Sequence, residues 1–121
     1  MAPEIMKSKA GHRDSARYSR KVDVYSFGIC LWEMLAHSQP FKELTVVRPA
    51  SRSAFCDAVC GGARPALSDE LRQIAPGGFV QLMERCWDAE VARRPAFSEV
   101  VSTTQEMLIH HDYRMCRYTR Q

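Results

Sequence analysis

With 121 residues, 45% of them hydrophobic and 26% charged, the chain has material for one small domain of ordinary soluble composition. No apolar run approaches the roughly 20 residues that a membrane-spanning helix needs, and Met1 is followed by Ala-Pro-Glu rather than by the charged and apolar regions of a secretory signal. The net charge is only +3, but it is unevenly placed.

Residues 1–21 are polar, basic and rich in loop formers. Between positions 7 and 21, Lys7, Lys9, Arg13, Arg17, Arg20 and Lys21 face a single acid, Asp14. The tail carries Arg114, Arg117 and Arg120 against Asp112. Both read as solvated basic edges. Contact with nucleic acid is the sharper alternative, but no aromatic stacking pattern accompanies the first stretch, and Tyr113 and Tyr118 give the tail only thin support.

The texture changes at Asp23, where DVYSFGICLWEMLA occupies positions 23–36. Asp23 is a fitting N-cap. Apolar side chains fall on nearly every face, the mark of a helix buried all round. Gly28 sits in mid-helix, where it costs about 1 kcal/mol relative to Ala, and such a glycine signals close approach by a neighbouring backbone. Ser38, Gln39 and Pro40 end the helix, and residues 40–52 form a connector without a period.

Ser53 is placed to cap a short helix carrying Phe55, Ala58 and Val59, which Gly61-Gly62 stops. Pro65 biases Arg64 toward extended backbone, and Ser68-Asp69-Glu70 begins a short polar turn. After Pro76-Gly77-Gly78, the residues Phe79, Leu82, Met83 and Cys86 repeat at helical spacing, with Trp87 beside them. A loop over 88–95 ends in Arg94-Pro95. The last helix spans 97–108 with Phe97, Val100, Val101, Thr104, Met107 and Leu108 as its apolar set, and the remainder reads as frayed. Strand signal is weak throughout, so four helices joined by irregular loops are expected.

The five cysteines, an odd count at irregular spacing, argue against a disulfide framework and for a reducing interior. Cys30 and Cys86 lie in apolar helical patterns, where a free thiol acts as a small hydrophobe. Cys56 and Cys60 can share a helix face and hold a metal. No third and fourth ligand stands at usable spacing, so zinc is set aside.

Four segments, in order, resemble the protein kinase family. Met1-Ala2-Pro3-Glu4 is similar to the close of an activation segment. Asp23-Val24-Tyr25-Ser26-Phe27-Gly28 resembles the start of the long C-lobe helix F. Arg64-Pro65 matches the pair that follows helix G. Cys86-Trp87, then Arg94-Pro95 and Phe97, match the end of helix H and the entry to helix I. The wording resembles the tyrosine-kinase-like group, with Tyr25 where many tyrosine kinases carry Trp.

The resemblance implies a mainly α, single truncated domain: a partial protein-kinase-like C-lobe of helices F to I over residues 1–108, then a basic tail over 109–121. It implies that Glu4 pairs with Arg94 and that Trp87 anchors helix H. It also puts Cys30 and Met34 at positions that pack beneath the adenine-bearing core, although in this chain they are expected to be apolar filler. In the family, the position of Asp23 accepts hydrogen bonds from the catalytic-loop backbone. Glu4, Arg94, Asp23, Gly28, Trp87 and Pro95 are thus structural positions of the family, and no residue is assigned a catalytic, cofactor-binding or metal-binding role.

His12-Arg13-Asp14 spells the catalytic-loop tripeptide, yet it follows Ala-Pro-Glu instead of preceding it. Ser19 stands five residues after Asp14, where a magnesium-holding Asn belongs. The chain has no Asp-Phe-Gly, and Gly61-Gly62 and Gly77-Gly78 lack GxGxxG spacing. ATP and magnesium are therefore implied only for a full-length parent.

The expected function is that of a protein kinase fragment. The parent phosphorylates proteins, by the resemblance on Ser and Thr, and this chain alone is not competent. The alternatives are a non-catalytic helical interaction module and a small basic nucleic-acid binder. Because Met often precedes Ala-Pro-Glu in such kinases, an internal methionine is expected to have been taken as the start. The implied partners are the missing N-lobe and catalytic loop, with a protein substrate or regulator. Neither membrane nor nucleic acid is expected as a partner, and the expected location is intracellular and cytoplasmic. Alone, the chain is expected to be dynamic or to aggregate, because its central helix lacks part of its cover.

Overall fold

Pro3 opens the first helix, α1 (Pro3–Ser8), at a position where its missing N–H is no loss. The Ala2 carbonyl accepts from the backbone N–H of Ile5 and Met6. The computed structural model describes residues 1–8, 19–47 and 50–118; Asp14 and its tripeptide lie outside them. The described residues contain six α-helices and no strand, against the four helices expected. Beyond α1 these are α2 (Lys21–Ala36), α3 (Arg52–Cys60), α4 (Asp69–Ile74), α5 (Phe79–Cys86) and α6 (Phe97–Tyr118).

Local chemistry moves several boundaries. α2 begins two residues before Asp23, so Asp23 is an exposed acid of the first turn and not the N-cap. The Ser19 hydroxyl instead accepts from the Lys21 N–H at 3.0 Å. α3 is capped by Ser51, not Ser53: its side chain accepts from Ala54 N–H at 3.1 Å. Ser68 caps α4 in the same way through Leu71 N–H at 3.3 Å, which turns the expected polar turn into a short helix. Within the connector, Glu43–Val47 forms a π-helical turn. It follows Phe41, which holds a left-handed backbone (φ 59°) with its ring edge-on to Phe55 at 5.4 Å. α6 continues past 108 to Tyr118, so residues expected to fray extend the helix.

The core forms where α2 crosses α5. A Cβ placed on Gly28 would stand 2.9 Å from Cys86 Cβ, 3.1 Å from Trp87 N and 3.2 Å from Met83 O. Glycine's missing side chain therefore lets α2 pack directly on the Cys86–Trp87 end of α5, where an added Cβ would crowd both Cys86 and the backbone. Around this crossing Val24, Tyr25, Leu31 and Trp32 of α2 bury against Val80, Leu82, Met83, Cys86 and Trp87, with Val59 of α3 and Val100 of α6 in the same cluster. Cys86 is fully enclosed, and burial pushes its thiol up to about 11, so it serves as packing.

α2 is not buried all round. Its covered residues are Val24, Tyr25, Gly28, Leu31 and Trp32, while Cys30 is exposed and Met34 is 61% exposed. The expectation that these two are apolar filler is therefore corrected: α5 covers one side of α2 only, and they stand on the open flank. Trp32 reaches the other way and donates from Nε1 to the Ala66 carbonyl at 2.8 Å, pinning the extended segment that follows α3.

Gly28→Ala should lower stability by about 1–3 kcal/mol through overpacking, even though Ala is the better helix former by about 1 kcal/mol. A urea titration that finds the variant at least as stable as the wild type would mean that the two helices are free to move apart.

Candidate structural site: the Arg94 clasp

Arg94 is the one buried charged residue among those described, at 1% exposure. It sits after the 3-10 turn Val91–Arg93 and before Pro95, which is itself buried. An unpaired guanidinium here would carry a desolvation penalty of several kcal/mol, so its donors must be met. Nη1 and Nη2 donate to the two carboxylate oxygens of Glu4 at 2.6 and 3.1 Å, a bidentate pair. Nη1 also donates to the Lys21 carbonyl at 3.1 Å, and Nε to the Asp88 carbonyl at 2.9 Å.

Lys21 completes the arrangement. Its ammonium donates to the Arg94 carbonyl while its own carbonyl accepts from the Arg94 guanidinium. The start of α1, the start of α2 and the loop before α6 are thereby joined at one side chain. Reading the sequence placed Lys21 among solvated basic residues and missed this role. A lysine at the first position of a helix carries no signal for a partner 73 positions away.

Tyr25 lies against the clasp. The guanidinium carbons of Arg94 and Arg64 each stand 5.0 Å from the centre of its ring, in cation–π geometry. Burial pushes the Tyr25 phenol above its ordinary value, an effect the two cations oppose, and its hydroxyl finds no hydrogen-bond partner among the described residues. Arg64 is held in turn by the carbonyls of Trp87 at 2.9 Å and Ala63 at 2.8 Å. Trp87 thus anchors the end of α5 with its buried ring and the Arg64 side chain with its backbone.

The structure brings Glu4 and Arg94 into direct contact beside the buried Pro95, while Trp87 reaches the clasp only through Arg64. Gly28 lies at the α2–α5 crossing, apart from the clasp, and Asp23 faces outward. No three His, Cys, Asp or Glu side chains gather in metal-binding reach among the described residues. A surface depression of about 750 Å³ runs along the open flank of α2 beside Cys30, Glu33, Met34 and His37. The clasp itself holds segments together; it presents no nucleophile and no acid–base pair.

Burial raises the Glu4 carboxyl while Arg94 and the backbone lower it, and the lowering wins. The folded state thus holds this proton less tightly than the unfolded chain. The pair's stability is fully present above the ordinary value of 4.5 and drains as pH falls through the depressed value below it. Glu4→Gln should destabilise the chain at pH 7, at or below the low end of the roughly 3–5 kcal/mol of a fully buried pair, because the Glu4 side chain is 32% exposed. The gap between variant and wild type should close as unfolding is followed below pH 4.5; a gap unchanged with pH would show that the carboxylate is not the operative group. Tyr25→Phe removes a hydroxyl that has no partner and should be neutral or stabilising in the same assay.

Comparison with known proteins accords with this geometry. The family model for protein tyrosine and serine/threonine kinases matches residues 1–104. The chain is 35% identical over 108 residues to human mitogen-activated protein kinase kinase kinase 7, covering 89% of this chain and 15% of that protein. It is 34% identical to the dual specificity protein kinase shkE of Dictyostelium discoideum (89% and 13%). It is 30% identical to the probable serine/threonine-protein kinase roco6 of the same organism (89% and 5%). The chain therefore spans a small part, 5–15%, of the length of these relatives. With the family model covering nearly all of its described core, the chain belongs to the protein tyrosine and serine/threonine kinase family.

Proposed function

We propose that the chain is the C-terminal portion of the large lobe of an ATP-dependent protein kinase directed at Ser and Thr, and that its task there is structural. The single observation that carries this reading is the bidentate Glu4–Arg94 pair, which ties the Ala-Pro-Glu segment to the loop before the last helix. Through that tie the lower lobe holds in place the segment that leads back to the reaction centre.

The residues present do not fit ATP or magnesium. Phosphoryl transfer needs a loop over the phosphates, a Lys held by a Glu, a base, and metal-binding side chains. No GxGxxG or Asp-Phe-Gly occurs in the sequence, and no three potential metal ligands cluster among the described residues. The partners proposed for the chain are accordingly the N-lobe and catalytic loop of a complete kinase domain. Cys30, Cys56, Cys60 and Cys86 are all free thiols, which supports an intracellular setting. Among the described residues no helix is long and apolar enough to cross a membrane.

Purified chain incubated with labelled ATP, magnesium and a mixed protein substrate should transfer no phosphate. Joined to the upstream catalytic-domain region of mitogen-activated protein kinase kinase kinase 7, it should support transfer to Ser and Thr, and Arg94→Ala should remove that activity. Transfer by the isolated chain, free of contaminating kinase, would overturn the proposal. So would a folded chimaera that is inactive or indifferent to Arg94.

A further inference from the structure

Three sulfur side chains line one cavity of about 630 Å³ between α1 and α3: Met6 from the first helix, Cys56 and Cys60 from the other. None of them takes part in the Arg94 clasp. Cys56 and Cys60 stand one turn apart on α3, which puts their Cβ atoms roughly 5–6 Å from each other on a shared face. Two thiols on neighbouring turns of one helix face can converge on a single ion by rotating their side chains. Both thiols are free and partly exposed, so the pair is reachable from solvent.

The donor set selects its ligand. A zinc site wants four ligands, and the described residues hold no group of three His, Cys, Asp or Glu. Two thiolates and a thioether are instead soft donors, the set that favours Cu(I). A Cu(I) ion with two thiolates carries a net single negative charge, and the same cavity is lined by two cations, Lys7 and Arg52, against one acid, Asp57. We propose that Met6, Cys56 and Cys60 form a binding site for a soft monovalent cation of the Cu(I) class.

The step balances without any redox change. Cu(I) enters, two S–H protons leave to solvent, and two Cu–S bonds form, with the Met6 sulfur as a third donor. One of those protons now joins Cys60 Sγ to the Pro3 carbonyl at 3.5 Å, a link between α3 and α1. Metal binding exchanges that weak hydrogen bond for a bridge from α3 to Met6. The bridge falls two residues after Glu4, so occupancy should stiffen the helix that carries the Arg94 partner.

Anaerobic titration of the reduced chain into the coloured Cu(I)–bicinchoninate complex tests the site. The wild type should withdraw about one equivalent of metal and melt at a higher temperature afterwards. Cys56→Ser with Cys60→Ser should withdraw none, while Met6→Leu should weaken binding without abolishing it. A second measurement needs no variant: iodoacetamide mapped by mass spectrometry should spare Cys56 and Cys60 when Cu(I) is present and still modify exposed Cys30. Equal protection of Cys30, unchanged labelling of Cys56 and Cys60, or equal withdrawal by the wild type and a folded double-serine variant would each overturn the proposal.

Discussion

The burial of one guanidinium constrains the rest of the structure. Arg94 is out of solvent, so its N–H groups must find acceptors within the protein, and they find them on three separate segments. The Glu4 carboxylate fixes α1, the Lys21 carbonyl fixes the start of α2, and the Asp88 carbonyl closes the loop onto itself. A network of this kind has little tolerance for partial assembly, because each missing partner leaves a buried donor unmet. This ties a short, six-residue helix at the chain's beginning to a loop 90 positions away, where apolar contact alone would hold it weakly.

The apolar core and the clasp share a wall. Tyr25 belongs to the buried face of α2, yet its ring lies between the guanidinium groups of Arg64 and Arg94. Arg64 is held by the Trp87 carbonyl, and Trp87 N lies at the Gly28 contact. The α2–α5 crossing and the Arg94 hub are therefore mechanically continuous through Tyr25, Arg64 and Trp87. The hydroxyl of Tyr25 is the one unsatisfied buried side-chain group among the described residues. What the ring gains is its face, which two cations use; the hydroxyl comes with the residue type.

What could be read in advance follows from whether a feature is local or repeats with a period. The i, i+3, i+4, i+7 series of α5 and the mid-helix Gly28 announce themselves in neighbouring residues, and both are where the pattern put them. The Glu4–Arg94 contact joins distant positions and has no periodic signature; resemblance to a family supplied it. The cap of α3 was misplaced by two residues, because Ser51 and Ser53 are equally good capping types, and α2 starts after Arg20, which makes no side-chain cap; only tertiary geometry decides such starts. The all-round apolar pattern of α2 was real, but pattern reports what a helix is built to bury, not what is there to bury it. Cys30 and Met34 are exposed for that reason.

The same argument extends to α6. Val100 and Met107 turn toward the core, while Val101, Leu108 and Ile109 remain 52–64% exposed on the other side. Phe97, at the start of this helix, meets Phe27 of α2 edge-on at 6.0 Å, on a side of α2 that is only half covered. Two helices thus carry more apolar surface than their contacts within the described residues remove from water. A chain whose own helices were matched to one another would not be patterned this way, because each uncovered large side chain forgoes about 1.5–3 kcal/mol of burial. The excess lies on α2 and α6, away from the clasp. The polar hub draws on none of that surface: its acceptors come from α1, the start of α2 and the loop before α6.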